Sequence, residues 1–177
     1  MSGFLVLTVR IAVGGVFLVA VCGKVAGRAA FGRFAGWLAA LLRPRLRRPV
    51  AIGLIAAEAA VVVLLAIPGT RFAGLAAAAV VLTGFAAAIV VLVRRGHRVP
   101  CRCLGTTGTR PMGTAEVLRN LVLAAASVAA VASGPGAPAA PADAVAAVFL
   151  GVTSALLIVR LDDVLALFGV TAGRSRP

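Results

Sequence analysis

The chain has 177 residues, of which 62% are hydrophobic and 13% are charged, and its formal net charge is +13. A soluble domain is roughly 45–50% apolar, so this composition excludes a water-soluble enzyme, which could not cover its surface with polar groups. A disordered chain is excluded as well, because it needs low hydrophobicity. The basic residues flank apolar runs instead of forming a solvated basic face, which argues against nucleic acid as a partner. The sequence predicts an all-α, polytopic membrane protein with the lipid bilayer as its first partner.

Five apolar stretches approach the length of about 20 residues that a transmembrane helix needs. In chain order they cover residues 3–23, 50–67, 72–93, 115–133 and 144–161. This pattern divides the chain into a four-helix membrane domain at 1–133, a linker rich in Pro, Gly and Ala at 134–143, the fifth transmembrane helix, and a tail at 162–177. The abundant Ala and Gly predict close helix packing, because small side chains let backbones approach in lipid.

The cations alternate between the connections and therefore predict an orientation. The first and third connections are rich in Arg, the second has only Arg71, and the fourth has no cation. By the positive-inside rule, the N-terminus lies outside and the C-terminus lies in the cytoplasm of a multi-pass cell-membrane protein.

Residues 29–42 predict a short amphipathic helix on the membrane surface. Phe31, Phe34, Trp37 or Leu38, and Leu41 recur at helical spacing, and Arg-rich sequence follows. Two prolines, Pro44 and Pro49, are expected to end this helix.

The strongest chemical signal is the pair Cys101 and Cys103, separated by Arg102. Two thiols at this spacing can close a small, strained disulfide ring, and strained disulfides are the labile, redox-active ones. Nearby arginines should stabilise the thiolate form, which exchanging thiols need. Two idle, reduced cysteines in a loop are the simpler alternative.

Metal binding is the rival interpretation of the same loop. His97, Cys101, Cys103 and Cys22 could supply four ligands of the types that suit zinc or copper(I). Cys22 is predicted on the same side as the Cys101 loop and could instead act as a third, resolving thiol. A cysteine in an apolar helix, however, is usually just a small hydrophobic residue.

Charges inside the predicted spans form the second group of candidates. Glu58 lies near the middle of the second span, and a charge there costs about 2.5–3.5 kcal/mol on translocon scales unless it has a partner or a function. Arg119, next to Asn120 at the start of the fourth span, is the first predicted partner of Glu58, and Arg10 is the second. Lys24, at the end of the first span, is interpreted as a cation that snorkels to the interface.

Together these residues resemble the methylamine utilisation protein MauE family, a relative of the DoxX-like membrane proteins. The similarity extends over about residues 4–125. Its most specific elements are Cys101-x-Cys103-x-Gly105 and the pair Arg119-Asn120; the others are Arg10, Gly14, Gly23, Lys24, Phe31, Phe34, Glu58 and Phe85. Leu104 departs from the aromatic residue that is common in the family, and the fifth span lies beyond the four-helix core.

The resemblance implies a four-helix membrane bundle that serves electron transfer or disulfide formation. It also implies a thioredoxin-like partner during maturation of an exported protein. The leading hypothesis is a membrane thiol–disulfide redox protein that uses Cys101 and Cys103, with Glu58 and Arg119 in a buried polar centre near a quinone. The alternative is a non-catalytic or metal-binding membrane subunit.

Two questions stay open at this point. The charge count puts the two thiols in the cytoplasm, where thiols are normally kept reduced. A pair on that side could take up reducing equivalents and pass them outward, unless the charge count misassigns this loop. Assembly as a homo-oligomer is compatible with the sequence but is not specified by it.

Overall fold

The computed structural model describes residues 3–96, 113–134 and 140–160, and these ranges are helical with short turns. Six α-helices follow in chain order: α1 (Gly3–Val25), α2 (Arg28–Trp37), α3 (Pro44–Ala66), α4 (Arg71–Arg94), α5 (Thr114–Ala132) and α6 (Pro141–Val159). Two 3₁₀ turns, Leu38–Ala40 and Pro68–Thr70, precede α3 and α4. All helices but α2 are long and apolar enough to cross a membrane, which confirms the prediction of a polytopic helical bundle.

Helices α1, α3, α4 and α5 form a four-helix bundle in which each contacts the next and α5 returns to α1. We call the end where α1 begins the N-terminal face, and the end where α4 stops and α5 starts the loop face. The core between the helices is built from aliphatic side chains and Phe17, with Val13, Val61, Leu75 and Leu123 as representatives of the four helices. Each contributes one stripe at helical spacing, as close packing in lipid requires.

The third helix begins six residues earlier than the sequence pattern predicts. Pro44 occupies the first helical turn, where the missing N–H of proline costs nothing, and Pro49 lies inside the helix instead of ending an earlier one. Arg45 and Arg48 are exposed on these first turns. The predicted start at residue 50 is therefore wrong, because arginine side chains are long enough to reach water from a helix that continues past the apolar core.

The structure confirms a helix within residues 29–42, since α2 covers Arg28–Trp37. This helix packs on α3 and α4. Phe34, Trp37 and Leu38 are at most 6% exposed, and they pack with Ala51 of α3 and with Phe85, Ile89 and Leu92 of α4. The turn from α1 into α2 uses Gly27, whose φ of +140° suits glycine. Helix α2 therefore folds back and closes the bundle at the loop face, with its apolar side against α3 and α4; its position at a membrane surface stays a prediction.

Helix α6 lies outside the four-helix bundle and runs parallel to α1. Its residues Ala147, Gly151, Ala155 and Val159 form the buried stripe, one residue per helical turn. Added Cβ atoms show how closely the two backbones approach: at Gly151 one would lie 2.8 Å from the Cβ of Ile11, and at Gly15 one would lie 2.9 Å from the Cβ of Ala155. Helix α6 also starts at Pro141, so the last three residues of the predicted linker are helical.

The replacement Gly151→Leu should detach α6 from α1 and leave the other helices assembled. Its side chain would meet Ile11 and the carbonyl oxygen of Thr8, and overpacking of this kind typically costs about 1–3 kcal/mol. A thiol introduced by Ala147→Cys, in a background whose native cysteines are serine, should react slowly with a maleimide in the parent chain, where position 147 is buried, and faster in the Gly151→Leu chain. The matched control is Gly53→Leu, which faces open space. Equal labelling rates in all three chains would contradict the observed packing of α6.

Candidate functional site

A buried ion pair between Lys24 and Glu58 is the polar centre of the bundle. The Nζ atom of Lys24 donates to both carboxylate oxygens of Glu58, at 2.6 and 2.8 Å. Lys24 is 2% exposed and Glu58 is 1% exposed, so both charges are removed from water and lipid. Two charges in such surroundings are stable only when paired at short range with good geometry.

Two aromatic rings complete the surroundings of the ammonium group. Its Nζ atom lies 5.0 Å from the ring centroid of Phe34 and 5.4 Å from that of Phe85, which is within the range of a cation–π contact. Phe34 belongs to α2 and stacks against Trp37 with centroids 6.2 Å apart. The centre thus joins four helices: α1 and α3 supply the charges, and α2 and α4 supply the rings. We call Lys24, Glu58, Phe34 and Phe85 the caged ion pair.

The partner of Glu58 differs from both candidates chosen from the sequence. Glu58 lies about 21 Å from the start of α3 at Pro44, but the first turns of that helix extend beyond the apolar core, so Glu58 lies no deeper in the bundle than the predicted span places it. Side chains on a helix point back toward its start, so Lys24, in the last turn of α1, points into the membrane and reaches this depth. The expectation that Lys24 snorkels to the interface is wrong, and so are Arg119 and Arg10 as partners of Glu58.

Arg10 lies near the opposite end of the bundle. Its Nε and Nη2 atoms donate to the carbonyl oxygens of Leu65 and Ala66 in the last turn of α3, the second at 2.9 Å. Those carbonyls have no partner within the helix, so the guanidinium caps α3. Arg10 is thus separated from the caged ion pair and holds α1 against α3 at the N-terminal face.

The start of α5 carries the remaining predicted polar residues. Asn120 is buried and Arg119 is half-buried on its second turn. Glu116 is buried as well, and its Oε2 atom accepts a hydrogen bond of 2.7 Å from the backbone N–H of Gly113. This bond fixes the point at which the chain enters α5, because it satisfies one of the unpaired N–H groups at a helix start.

The predicted thiol pair lies outside the described residues, since Cys101, Arg102 and Cys103, together with His97, fall within 97–112. Cys22 is described: it is exposed in the last turn of α1, about half a turn away from buried Lys24. It therefore points away from the bundle. Within the described ranges no group of three or more His, Cys, Asp or Glu residues is placed to hold a metal, and three of the four alternative ligands lie outside them.

An apolar groove lies between α4 and α5 at the loop face, with a volume of about 290 Å³. Arg94 and Gly113, the residues close to the two ends of the thiol-bearing segment, line it. Its walls are the aliphatic side chains of Val90, Val93, Val117, Leu118 and Leu121. The groove therefore offers an apolar site of small-molecule size with one cation at its rim.

Sequence reasoning identified Glu58 but missed the role of the aromatic rings. A signal for Lys24 was present: it continues the buried stripe of α1 formed by Val13, Phe17 and Ala20, whereas Cys22 falls off that stripe. The spacing of the core residues thus distinguishes the buried cation from an interfacial one.

Comparison with known proteins gives one finding on the family. A family model described as methylamine utilisation protein MauE matches residues 2–133, about three quarters of the chain. The matched range contains α1 to α5 and ends before α6. No curated protein and no solved structure matches the chain.

Proposed function

Because the chain belongs to the methylamine utilisation protein MauE family, we propose that it is an integral membrane thiol–disulfide redox protein acting through Cys101 and Cys103. The family and the five apolar helices make it a multi-pass membrane protein, and the family description points to methylamine utilisation. The redox role concerns disulfide formation or maturation of an exported protein, with a thioredoxin-like protein as partner.

The observation that carries the proposal is the position of the thiol pair in the chain. Cys101 and Cys103 lie on the connection between α4 and α5, which pack closely along their length. That connection starts after Arg94 and Arg95, contains Arg98 and Arg102, and is held at its far end by Glu116. Positive charges of this density stabilise thiolates, and thiolates are the nucleophiles of disulfide exchange.

The exchange is balanced as follows. A thiolate of the partner attacks one sulfur of the Cys101–Cys103 disulfide, and the partner's second thiolate then displaces that sulfur from the mixed disulfide. The partner leaves as a disulfide, and Cys101 and Cys103 take up the two protons that the partner's thiols released on forming thiolates. The pair is then a dithiol that carries two electrons and two protons. Re-forming their disulfide requires an acceptor for both.

The groove between α4 and α5 supports a lipid-soluble quinone as that acceptor. Its aliphatic walls suit an apolar ring and tail, Leu118 and Leu121 are exposed on the outer surface of the bundle, and Arg94 can donate a hydrogen bond to a carbonyl oxygen. A quinone bound there would supply the oxidant, since it becomes a quinol by taking the two electrons and two protons of the dithiol. The role of the protein is to hold Arg94 and the start of α5 at the rim of this groove.

The direct test traps the mixed disulfide. Cys103→Ser or Cys101→Ser leaves one thiol of the pair, which attacks the disulfide of an oxidised partner and has no neighbouring sulfur to release it. Under mild oxidation each variant should therefore accumulate a covalent adduct with a thioredoxin-like protein, which a reducing agent releases. The control is Cys22→Ser, which retains both sulfurs of the pair and should exchange like the parent chain. Absence of any adduct in both single variants, with both thiols alkylating as slowly as ordinary free cysteine, would overturn the proposal. A stoichiometric metal lost on Cys101→Ala would favour the metal-binding alternative instead.

Side-specific labelling of the two thiols in intact cells tests the orientation. The charge count predicts that the loop face lies in the cytoplasm, so a membrane-impermeant maleimide should label Cys101 and Cys103 only after the cells are opened. Labelling from outside would reverse the predicted orientation and place the pair in an oxidising compartment.

A further inference from the structure

A second groove lies at the opposite end of the bundle, between α1 and α3. Its volume is about 330 Å³. Leu7, Ile11 and Gly14 of α1 and Val62 and Leu65 of α3 give it apolar walls, and Arg10 is its charged end. Gly14 lies about one helical turn deeper than Arg10, so the groove runs from the N-terminal face toward the middle of the bundle.

The groove exists because position 14 has no side chain. A Cβ there would lie 3.8 Å from Cδ1 of Leu65, which is an ordinary van der Waals contact. Alanine would therefore fit, whereas a larger side chain would occupy the groove itself. The shape and the apolar walls fit a hydrocarbon chain that lies along the surface of the bundle.

Arg10, at the charged end of this groove, has N–H donors that its hydrogen bonds to α3 do not use. Arg10 uses its Nε–H and one Nη2–H on the carbonyl oxygens of α3, while a guanidinium has five N–H donors. Arg71, the first residue of α4, lies close enough for its positive charge to repel that of Arg10, and its guanidinium rests 4.9 Å from the ring centroid of Phe72.

No carboxylate of the described residues forms an ion pair with either arginine. Among the residues that the structure describes, the ion pair is formed by Lys24 and Glu58, away from the N-terminal face. Asp143, which opens α6 at the N-terminal face, is not paired with them. Two neighbouring guanidiniums without a counter-charge attract an anion that can accept hydrogen bonds from both.

We propose that this groove binds an anionic phospholipid of the membrane, with the phosphate between Arg10 and Arg71 and one acyl chain lying over Gly14 against Val62 and Leu65. The site has both parts of the recognition: Arg10 at the charged end of the groove with the charge of Arg71 near it, and an apolar channel that continues along α1 toward the middle of the bundle. Anionic headgroups are attracted electrostatically to arginines close to the membrane surface. The site is independent of the proposed exchange, since it lies at the end of the bundle opposite to Arg94 and Gly113.

Native mass spectrometry of the purified full chain in detergent tests the proposal. Dioleoyl phosphatidylglycerol should bind more tightly than dioleoyl phosphatidylcholine. Arg71→Gln should weaken phosphatidylglycerol binding about fivefold and leave phosphatidylcholine binding unchanged. Gly14→Leu should weaken the binding of both lipids, because it fills the acyl-chain channel and changes no charge. The matched control is Arg45→Gln, which removes an exposed cation at the loop face.

Several outcomes would overturn the assignment. These are equal affinity for the two lipids, a loss on Arg45→Gln as large as on Arg71→Gln, or full binding by Gly14→Leu. Displacement of the lipid by glycerol phosphate alone would mean that the cations recognise a phosphate without its acyl chain, which would also contradict a lipid site. Far-UV circular dichroism of each variant checks that the helices are retained, and Arg71→Gln is preferred to Arg10→Gln because Arg10 also caps α3.

Discussion

Replacing Lys24 with methionine should lower the free energy of unfolding by about 3–5 kcal/mol, the usual cost of removing one partner from a buried ion pair. Methionine matches the length of lysine but leaves the carboxylate of Glu58 without its two hydrogen bonds, in a position that is 1% exposed. The replacement also removes the cation that lies over the rings of Phe34 and Phe85, so the contact between α2 and α1 should loosen. Unfolding followed by far-UV circular dichroism during a titration with sodium dodecyl sulfate in mixed micelles measures the loss.

The double variant Lys24→Met/Glu58→Leu separates charge from packing. An apolar pair of similar volume often replaces a buried ion pair at little cost, so the double variant should be more stable than Lys24→Met alone. The matched control is Arg45→Met, an exposed cation whose loss should change stability by less than about 0.5 kcal/mol. A double variant that loses the sum of both single effects would show that the two residues do not act as a pair.

The second large effect is expected at Gly74, where α4 passes close to the end of α3. A Cβ at this position would lie 2.9 Å from Cδ2 of Leu65 and equally close to the backbone nitrogen of the same residue. A flexible side chain can move away, but backbone inside a helix cannot, so Gly74→Val should force the two helices apart. We expect a loss of about 3 kcal/mol, at the upper end of the range for overpacked cores.

Helix α4 offers its own control for this prediction. Gly84 lies in the same helix and has no atom within 4 Å of an added Cβ. Since glycine is a poorer helix former than valine, Gly84→Val should be neutral or slightly stabilising. The same unfolding titration compares the two variants, and equal stabilities would contradict the close approach of α3 and α4.

The membrane architecture could be predicted from the sequence because it depends on the average hydropathy of long segments. Apolar runs of about 20 residues identify the spans whatever their neighbours are, and four of the five predicted spans agree with the observed helices to within a few residues. The start of α3 could not be found in this way, since Arg45, Arg48 and Pro49 are typical of a connection when only composition is considered. In the structure they form the first turns of a helix that extends beyond the apolar core.

The caged ion pair was harder to predict because it requires a carboxylate and a cation on different helices to lie at the same level of the bundle. A match between Glu58 and a cation requires knowing where each helix starts, how far a side chain leans along its helix, and what covers it. The fold-back of α2, which covers Lys24 with Phe34, is a tertiary packing event with no local signal beyond the apolar periodicity of its residues. The candidate thiols Cys101 and Cys103 remain a prediction from sequence and family.

The parallel arrangement of α1 and α6 has a topological consequence for experiments on this protein. A bundle that stopped after α5 would end its chain at the N-terminal face, at the opposite end from Arg94 and Gly113. Helix α6 runs the length of the bundle once more and brings Arg160 back to the face where α4 ends and α5 starts. A fluorescent or enzymatic reporter fused after Arg160 would therefore report on the compartment that faces the ends of α4 and α5, without any change to the connection between them.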